Sequence, residues 1–429
     1  MNTSSLLALM ASFLFGGLFW IFCRYKYYIS RKYFFSLLLA LIVLQLYFQS
    51  RTAILASLTT TAYVLYPYIV SKLKKKIYTR WTFVLLFLSV VFLTVLVKTD
   101  SSIGRWFIWK QAFKLWKENW LAGVGIGKFN PEINHLQAAY FSNTSLYTKE
   151  AMLANDCYFA FNELLHFSIE FGFVGLLCSV FITYFVLKAC FANINSHKGW
   201  AGAILIPVFV GCLFSYPLHN IFISIGSIFL IGYLVSDYSI FKIRWFRRFI
   251  IFFTVLLCTG LSISIYNHFM DKKNFSCIKQ FVKDGHRTKA FQLAYEVSDK
   301  FKKDPQFTIF YLDLLYDTRR LDLAVNWFNK FHKYHCNQIA HSLIAKCHDE
   351  LEDYGNAEMH YLMSLYLTPH LLQSRLDLMN FYRRYNNTER AKYWATEALN
   401  YPAKVHNNRV ELIREKAKIY LLSLEKEEF

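Results

Sequence analysis

The chain has no Cys-x-x-Cys pair, and its nine cysteines are scattered. That spacing offers no cysteine-based metal site. Cys336 and Cys347 fall on one expected helix. They are about 16 Å apart at ~1.5 Å per residue, too far for a disulfide. Acidic residues are scarce as well: 29 Asp and Glu stand against 48 Lys and Arg, a net charge of +19. Such an excess suits phosphate. No known nucleic-acid-binding signature accompanies it, and much of it sits in short loops between apolar runs, where positive charge sets membrane topology. Nucleic acid is therefore not expected as a partner. The first apolar run lacks a basic flank and a small-residue cleavage site, so it is read as a span and not as a signal peptide. The spans contain almost no buried ionisable residues of the kind pumps need, which weighs against transport. After residue 267 no bilayer-length apolar run occurs.

What is present is apolar surface: 429 residues, 55% hydrophobic and 19% aromatic. This exceeds the composition of ordinary soluble domains. Residues 1–267 hold eight apolar runs, at 5–23, 33–49, 52–71, 81–98, 164–187, 200–216, 221–240 and 249–267. Runs of about 17 to 21 residues match a bilayer core of ~30 Å. The connections at 24–32, 72–80 and 242–248 are rich in Lys and Arg, whereas residues 1–4, 50–51 and 216–220 hold one cation, Arg51. The positive-inside rule makes the first set cytoplasmic. The polar segment 99–163 is then external, and so is the chain after 267.

Arg51 opens a span at its external end, and Arg105 lies just beyond the external end of another. Two guanidiniums on one membrane face suit bidentate contact with phosphate oxygens. Snorkelling to the headgroups is the plainer role open to Arg51. Trp106, Trp109, Phe113, Trp116 and Trp120 recur at steps of three and four. That is one helix face, suited to the membrane interface or to packing on the membrane domain. Gly123, Gly125 and Gly127 follow this helix. Such a run either cradles a phosphate with backbone N–H groups or makes a tight turn. Entering the next span, Asn162 and His166 share a helix face, with Glu163 and Glu170 beside it. An ionisable group at the mouth of a span requires pairing or water, and His166 or Glu163 there fits a general base as well as a packing role.

Taken in order, Ser50-Arg51-Thr52-Ala53, Arg105 with Trp109, Leu121-Ala-Gly-Val-Gly-Ile-Gly-Lys-Phe129, and Asn162-Glu-Leu-Leu with Glu170-Phe-Gly-Phe-Val-Gly175 resemble the O-antigen ligase and polymerase superfamily. That superfamily includes protein O-oligosaccharyltransferases. The resemblance covers roughly 36–235. It implies a GT-C-like membrane glycosyltransferase of the bacterial inner membrane. The donor is a glycan on undecaprenyl diphosphate, and the acceptor is a hydroxyl of lipid A–core, of another glycan or of a protein. Neither nucleotide sugar, metal nor cofactor is implied. Arg51 and Arg105, with Gly125 and Gly127, are the expected donor-diphosphate residues. Arg105, Asn162, Glu163 and His166 are the expected catalytic ones. Two departures stand out: Phe161 occupies the position before Asn162 where the family usually carries histidine, and two spans precede Ser50-Arg51 where the family usually has about six. They keep a second reading in view, a non-catalytic membrane scaffold.

Ala290, Ala324, Ala357 and Ala391 recur at spacings of 34, 33 and 34 residues. This is the tetratricopeptide period, in which stacked helix pairs build a solenoid with a concave surface. The expected fold is thus all-α. A membrane domain of about eight spans occupies 1–267, with its external loop at 99–163. A tetratricopeptide-like periplasmic solenoid occupies 268–429 and is expected to dock a partner or acceptor protein.

Overall fold

The computed structural model describes residues 3–25, 31–72, 99–236 and 244–427. Helices account for its regular structure, and no strand occurs among the described residues. The chain divides into two compact units. One comprises Met1–Arg105, Trp116–Gly123 and Phe159–Val255; the other comprises Trp106–Leu115, Val124–Tyr158 and Leu256–Phe429.

The first unit contains α1 (Thr3–Arg24), α2 (Arg31–Tyr47), α3 (Arg51–Lys72), the ends of α4 (Thr99–Glu118), α7 (Glu163–Ala192), α8 (Gly199–Phe214) and α9 (Ile221–Val235). Among the described residues, three helices are long and apolar enough to cross a membrane: Thr3–Arg24, Arg51–Ser71 and Glu163–Ala192. Three shorter apolar helices accompany them, Lys32–Tyr47, Gly199–Phe214 and Ile221–Val235. The expected span 81–98 lies outside the described residues. Gly16 shows how the bundle closes. A Cβ there would run into the carbonyl of Ala203 on α8 and the methyl of Thr60 on α3. Lipid offers no hydrophobic drive between helices, so small residues and close backbone approach supply the packing.

The second unit holds α5 (Phe129–Ser142), α6 (Lys149–Leu153), most of α10 (Arg244–Lys283), and eight further helices. These are α11 (Arg287–Val297), α12 (Pro305–Asp317), α13 (Leu321–Phe331), α14 (Gln338–Glu350), α15 (Tyr354–Leu367), α16 (Leu372–Arg384), α17 (Thr388–Asn400) and α18 (Asn408–Glu427). α10 runs unbroken through residue 267, the expected domain boundary.

One device recurs four times in this unit. Gly285, Arg319, Glu352 and Asn386 have φ of 81°, 56°, 59° and 55°. Each follows a helix end, and the next N–H donates back five residues: His286 to Phe281, Arg320 to Leu315, Asp353 to His348 and Asn387 to Tyr382. This closes the helix as a Schellman motif. Five residues after each left-handed residue stands a repeat alanine: Ala290, Ala324, Ala357 or Ala391, each 0% exposed. All four occupy the fourth position of their helix. The periodic alanines are therefore the points of close helix approach, and the turns before them fix the angle of return.

Residues 124–158 are built into this same unit. Asn130 and Asn134 lie one turn apart on α5. Asn130 Nδ2 donates to the Cys157 carbonyl (2.8 Å) and its Oδ1 accepts from the Cys336 N–H (3.2 Å). Asn134 reverses the pattern, donating to the Cys336 carbonyl (2.8 Å) and accepting from the Cys157 N–H (2.9 Å). Gln137 donates to the Leu367 carbonyl at 2.7 Å. Buried backbone groups demand partners, and here three side-chain amides supply them to chain segments far apart in sequence.

Candidate functional site

α2 ends in a left-handed residue, Gln49 (φ 48°), with the Ser50 N–H donating back to the Gln45 carbonyl. This sharp turn sets Arg51 as the first residue of α3. Its guanidinium forks: Nη1 donates to Ser102 Oγ at 2.9 Å and Nη2 to Ser101 Oγ at 3.0 Å. Two oxygens held by one fork mimic the bidentate geometry that guanidinium offers an oxyanion.

Arg51 and Arg105 line one cavity of about 210 Å³, together with Gln49, Ser101, Phe161 and Tyr216. The Arg105 guanidinium is pushed below its ordinary pKa by burial first and by Arg51 second, while Tyr216 opposes the shift. Arginine stays protonated under such a shift. The cavity thus holds two like charges at close quarters, an arrangement that an anion stabilises. The Tyr216 hydroxyl is raised by burial and lowered by Arg105. The Phe161 ring lies 5.6 Å from the Arg105 guanidinium carbon. Phe161 has φ 53°, a conformation rare for a bulky residue and a sign of local constraint.

Asn162 stands just outside α7 and caps it, its Oδ1 accepting from the Leu165 N–H at 3.0 Å. The expectation that Asn162 and His166 share a helix face is corrected here. A capping residue has extended backbone, and Asn162 has φ −154°.

Glu163 opens α7. Its Oε1 accepts from the Leu218 N–H at 2.9 Å, and His219 Nδ1 lies 3.3–3.4 Å from its two carboxylate oxygens. His166 Nε2 lies 3.5 Å from Glu170 Oε1. The two imidazoles meet edge to face with centroids 5.1 Å apart. Phe159 stacks on Tyr216 at 4.1 Å and meets His219 at 4.5 Å, linking this network to the cavity wall. A carboxylate on Nδ1 fixes the imidazole tautomer and leaves Nε2 as a proton acceptor.

The first unit therefore brings Arg51 and Arg105 together, and links Glu163 and His166 through His219 and Phe159 to Tyr216 on the cavity wall, while Asn162 caps the helix that bears them. Gly125 and Gly127 belong to the second unit. Their φ values, 98° and 73°, give glycine a conformational reason at both places. Along α4, Trp106, Phe113 and Trp120 are exposed, whereas Phe107, Ala112 and Leu115 are buried. Phe107 packs on Tyr140 and Phe141. Ser101, Ser102 and Tyr216 escaped the sequence reading; the only signal was a hydroxyl pair shortly before Arg105 in the first turn of α4.

A family model described as O-antigen ligase matches residues 1–180, the stretch that carries Arg51, Arg105, Asn162, Glu163 and His166. No curated protein and no solved structure matches the chain.

Proposed function

We propose that the chain is a membrane glycosyltransferase of O-antigen ligase type. It moves a glycan from undecaprenyl diphosphate to an acceptor hydroxyl on the periplasmic face of the bacterial inner membrane. The observation that carries this reading is the pairing of Arg51 and Arg105 on one cavity. The acceptor oxygen forms a bond to the anomeric carbon as the bond from that carbon to the diphosphate oxygen breaks. Negative charge then builds on the leaving diphosphate, and prearranged guanidiniums stabilise it most in the transition state. Ser101 and Ser102 hold the Arg51 fork and give way to phosphate oxygens when donor enters. The acceptor's proton goes to His219 Nε2, with Glu163 orienting the ring. His166 and Glu170 support the same network, and Asn162 anchors the helix that bears it.

The O-antigen ligase match favours lipid A–core as acceptor; a second glycan or a protein has the same hydroxyl chemistry. The repeat unit is read as a periplasmic docking element for a protein partner or acceptor.

The test is complementation of cells that lack the gene with the native chain, Arg51→Ala or Arg105→Ala, followed by blotting of surface glycans and glycoproteins. Restoration by the native chain and loss in either variant, at equal protein levels, supports the reading and reveals the acceptor. Equal behaviour of all three leaves a non-catalytic scaffold, a reading favoured by Phe161 standing against Arg105 where the family carries histidine.

A further inference from the structure

A groove of about 750 Å³ opens in the repeat unit beside the first turns of α14, α16 and α18. Three cations line it: Lys346, Lys404 and Arg409. Its one carboxylate, Asp377, is 9% exposed and satisfied internally. Gln373 Nε2 donates to its Oδ1 at 2.8 Å and Ser342 Oγ to its Oδ2 at 3.3 Å. His370 adds no charge at neutral pH, because burial and then Lys404 hold its imidazole down at about 4. The groove therefore presents net positive charge to an incoming ligand. Between the cations lie aliphatic residues, Leu343, Leu372 and Ile413, each under 9% exposed.

The lining decides the ligand class. Sugars and nucleobases gain most from aromatic stacking platforms, and no Phe, Tyr or Trp lines this groove among the described residues. Aliphatic floor with basic rim fits carboxylates alternating with aliphatic side chains. Three helices abreast at ~8–10 Å span ~20 Å, the length of about six extended residues at ~3.3 Å each.

We propose that this groove binds a short extended acidic peptide segment of a partner protein, its carboxylates met by Lys346, Lys404 and Arg409 and its aliphatic side chains by Leu343, Leu372 and Ile413. The inference rests on reading the repeat unit as a docking element. Charge complementarity of this kind sets specificity and salt dependence more than bare affinity.

The test uses the full chain in detergent and fluorescence anisotropy with three labelled probes: a six-residue peptide alternating Glu and Leu, the same peptide with Lys for Glu, and hexagalacturonate. Lys404 and Arg409 are exposed, so the double variant Lys404→Glu, Arg409→Glu retains the fold, which circular dichroism checks. The Glu–Leu peptide is expected to bind the native chain, with Kd rising at least tenfold in the double variant and rising with salt. The Lys–Leu peptide and hexagalacturonate are expected not to bind. Binding of the Glu–Leu peptide that the double variant leaves unchanged overturns the groove and spares the docking reading. Equal binding of hexagalacturonate overturns the peptide assignment. Failure of the Glu–Leu peptide to bind the native chain overturns the groove and spares the docking reading, which names no groove.

Discussion

Gly123 and Gly172 meet backbone to backbone. Both are left-handed, at φ 73° and 63°. A Cβ on Gly123 would stand 2.5 Å from the Gly172 nitrogen, and a Cβ on Gly172 would stand 2.6 Å from the Gly123 nitrogen. Gly172 interrupts α7, and the Phe173 N–H turns to the Leu121 carbonyl at 3.3 Å. Gly123→Ala or Gly172→Ala is expected to cost ~2–4 kcal/mol, from backbone strain plus overpacking. Gly232 has open space around it. Gly232→Ala is the control, neutral or stabilising, since glycine within a helix is unfavourable. Thermal unfolding in detergent reads all three; equal midpoints would remove the contact from the account.

Glu163 serves two partners, the Leu218 N–H and His219. Glu163→Gln keeps the first and weakens the second. It is expected to lower the transfer rate by more than tenfold with little loss of stability. His219→Ala is expected to lower it by ~10²–10⁴, the usual contribution of a general base. A transfer assay with lipid-linked donor separates kcat from KM. A change in KM alone would leave His219 as a binding residue and move the base elsewhere.

Asn134 is 0% exposed and serves both Cys157 and Cys336. Asn134→Ala strands a buried N–H and a buried carbonyl, at ~1–3 kcal/mol for each unmet group. Hydrogen exchange at Cys157 and limited proteolysis of 143–158 are expected to speed up. Unchanged exchange would mean the Asn130 amide alone holds the segment.

Asp156 carries a pH dependence. Burial raises its pKa from 3.8 to about 6, against the opposing hydrogen bonds from the Gln338 N–H and Asn337. The folded chain thus favours the protonated form. Stability is fullest below the unfolded value and falls as pH rises from about 4 to about 6, by ~3 kcal/mol at most. Asp156→Asn removes the slope. Denaturant unfolding of both chains between pH 4 and 7 is expected to show curves that diverge as pH rises; parallel curves would show that solvent reaches the carboxylate.

The repeat was legible because its cause is local. A small residue at one register of each helix shows as a period, and Ala290, Ala324, Ala357 and Ala391 then appear buried at the fourth helix position. The turns before them were less legible. Arg319 and Glu352 adopt the left-handed conformation without being glycine, because the Schellman hydrogen bonds and the packing beyond them override a weak preference. The two arginines were singled out by their place beside apolar runs of the sequence. Their serine and tyrosine neighbours were not, since Tyr216 reaches the Arg105 wall across 111 residues of chain.

By itself the sequence determined the helical class, the apolar segments, the repeat period and which ionisable residues stand beside apolar runs. Periodicity and charge are properties of neighbouring residues, so they survive in one dimension. The tertiary structure alone decided that Arg51 and Arg105 share a cavity, that His219 rests on Glu163, and that 124–158 belongs with the repeats. Those relations depend on side chains satisfying partners far away in the chain. Nothing in local pattern specifies which buried carbonyl an asparagine such as Asn134 will find.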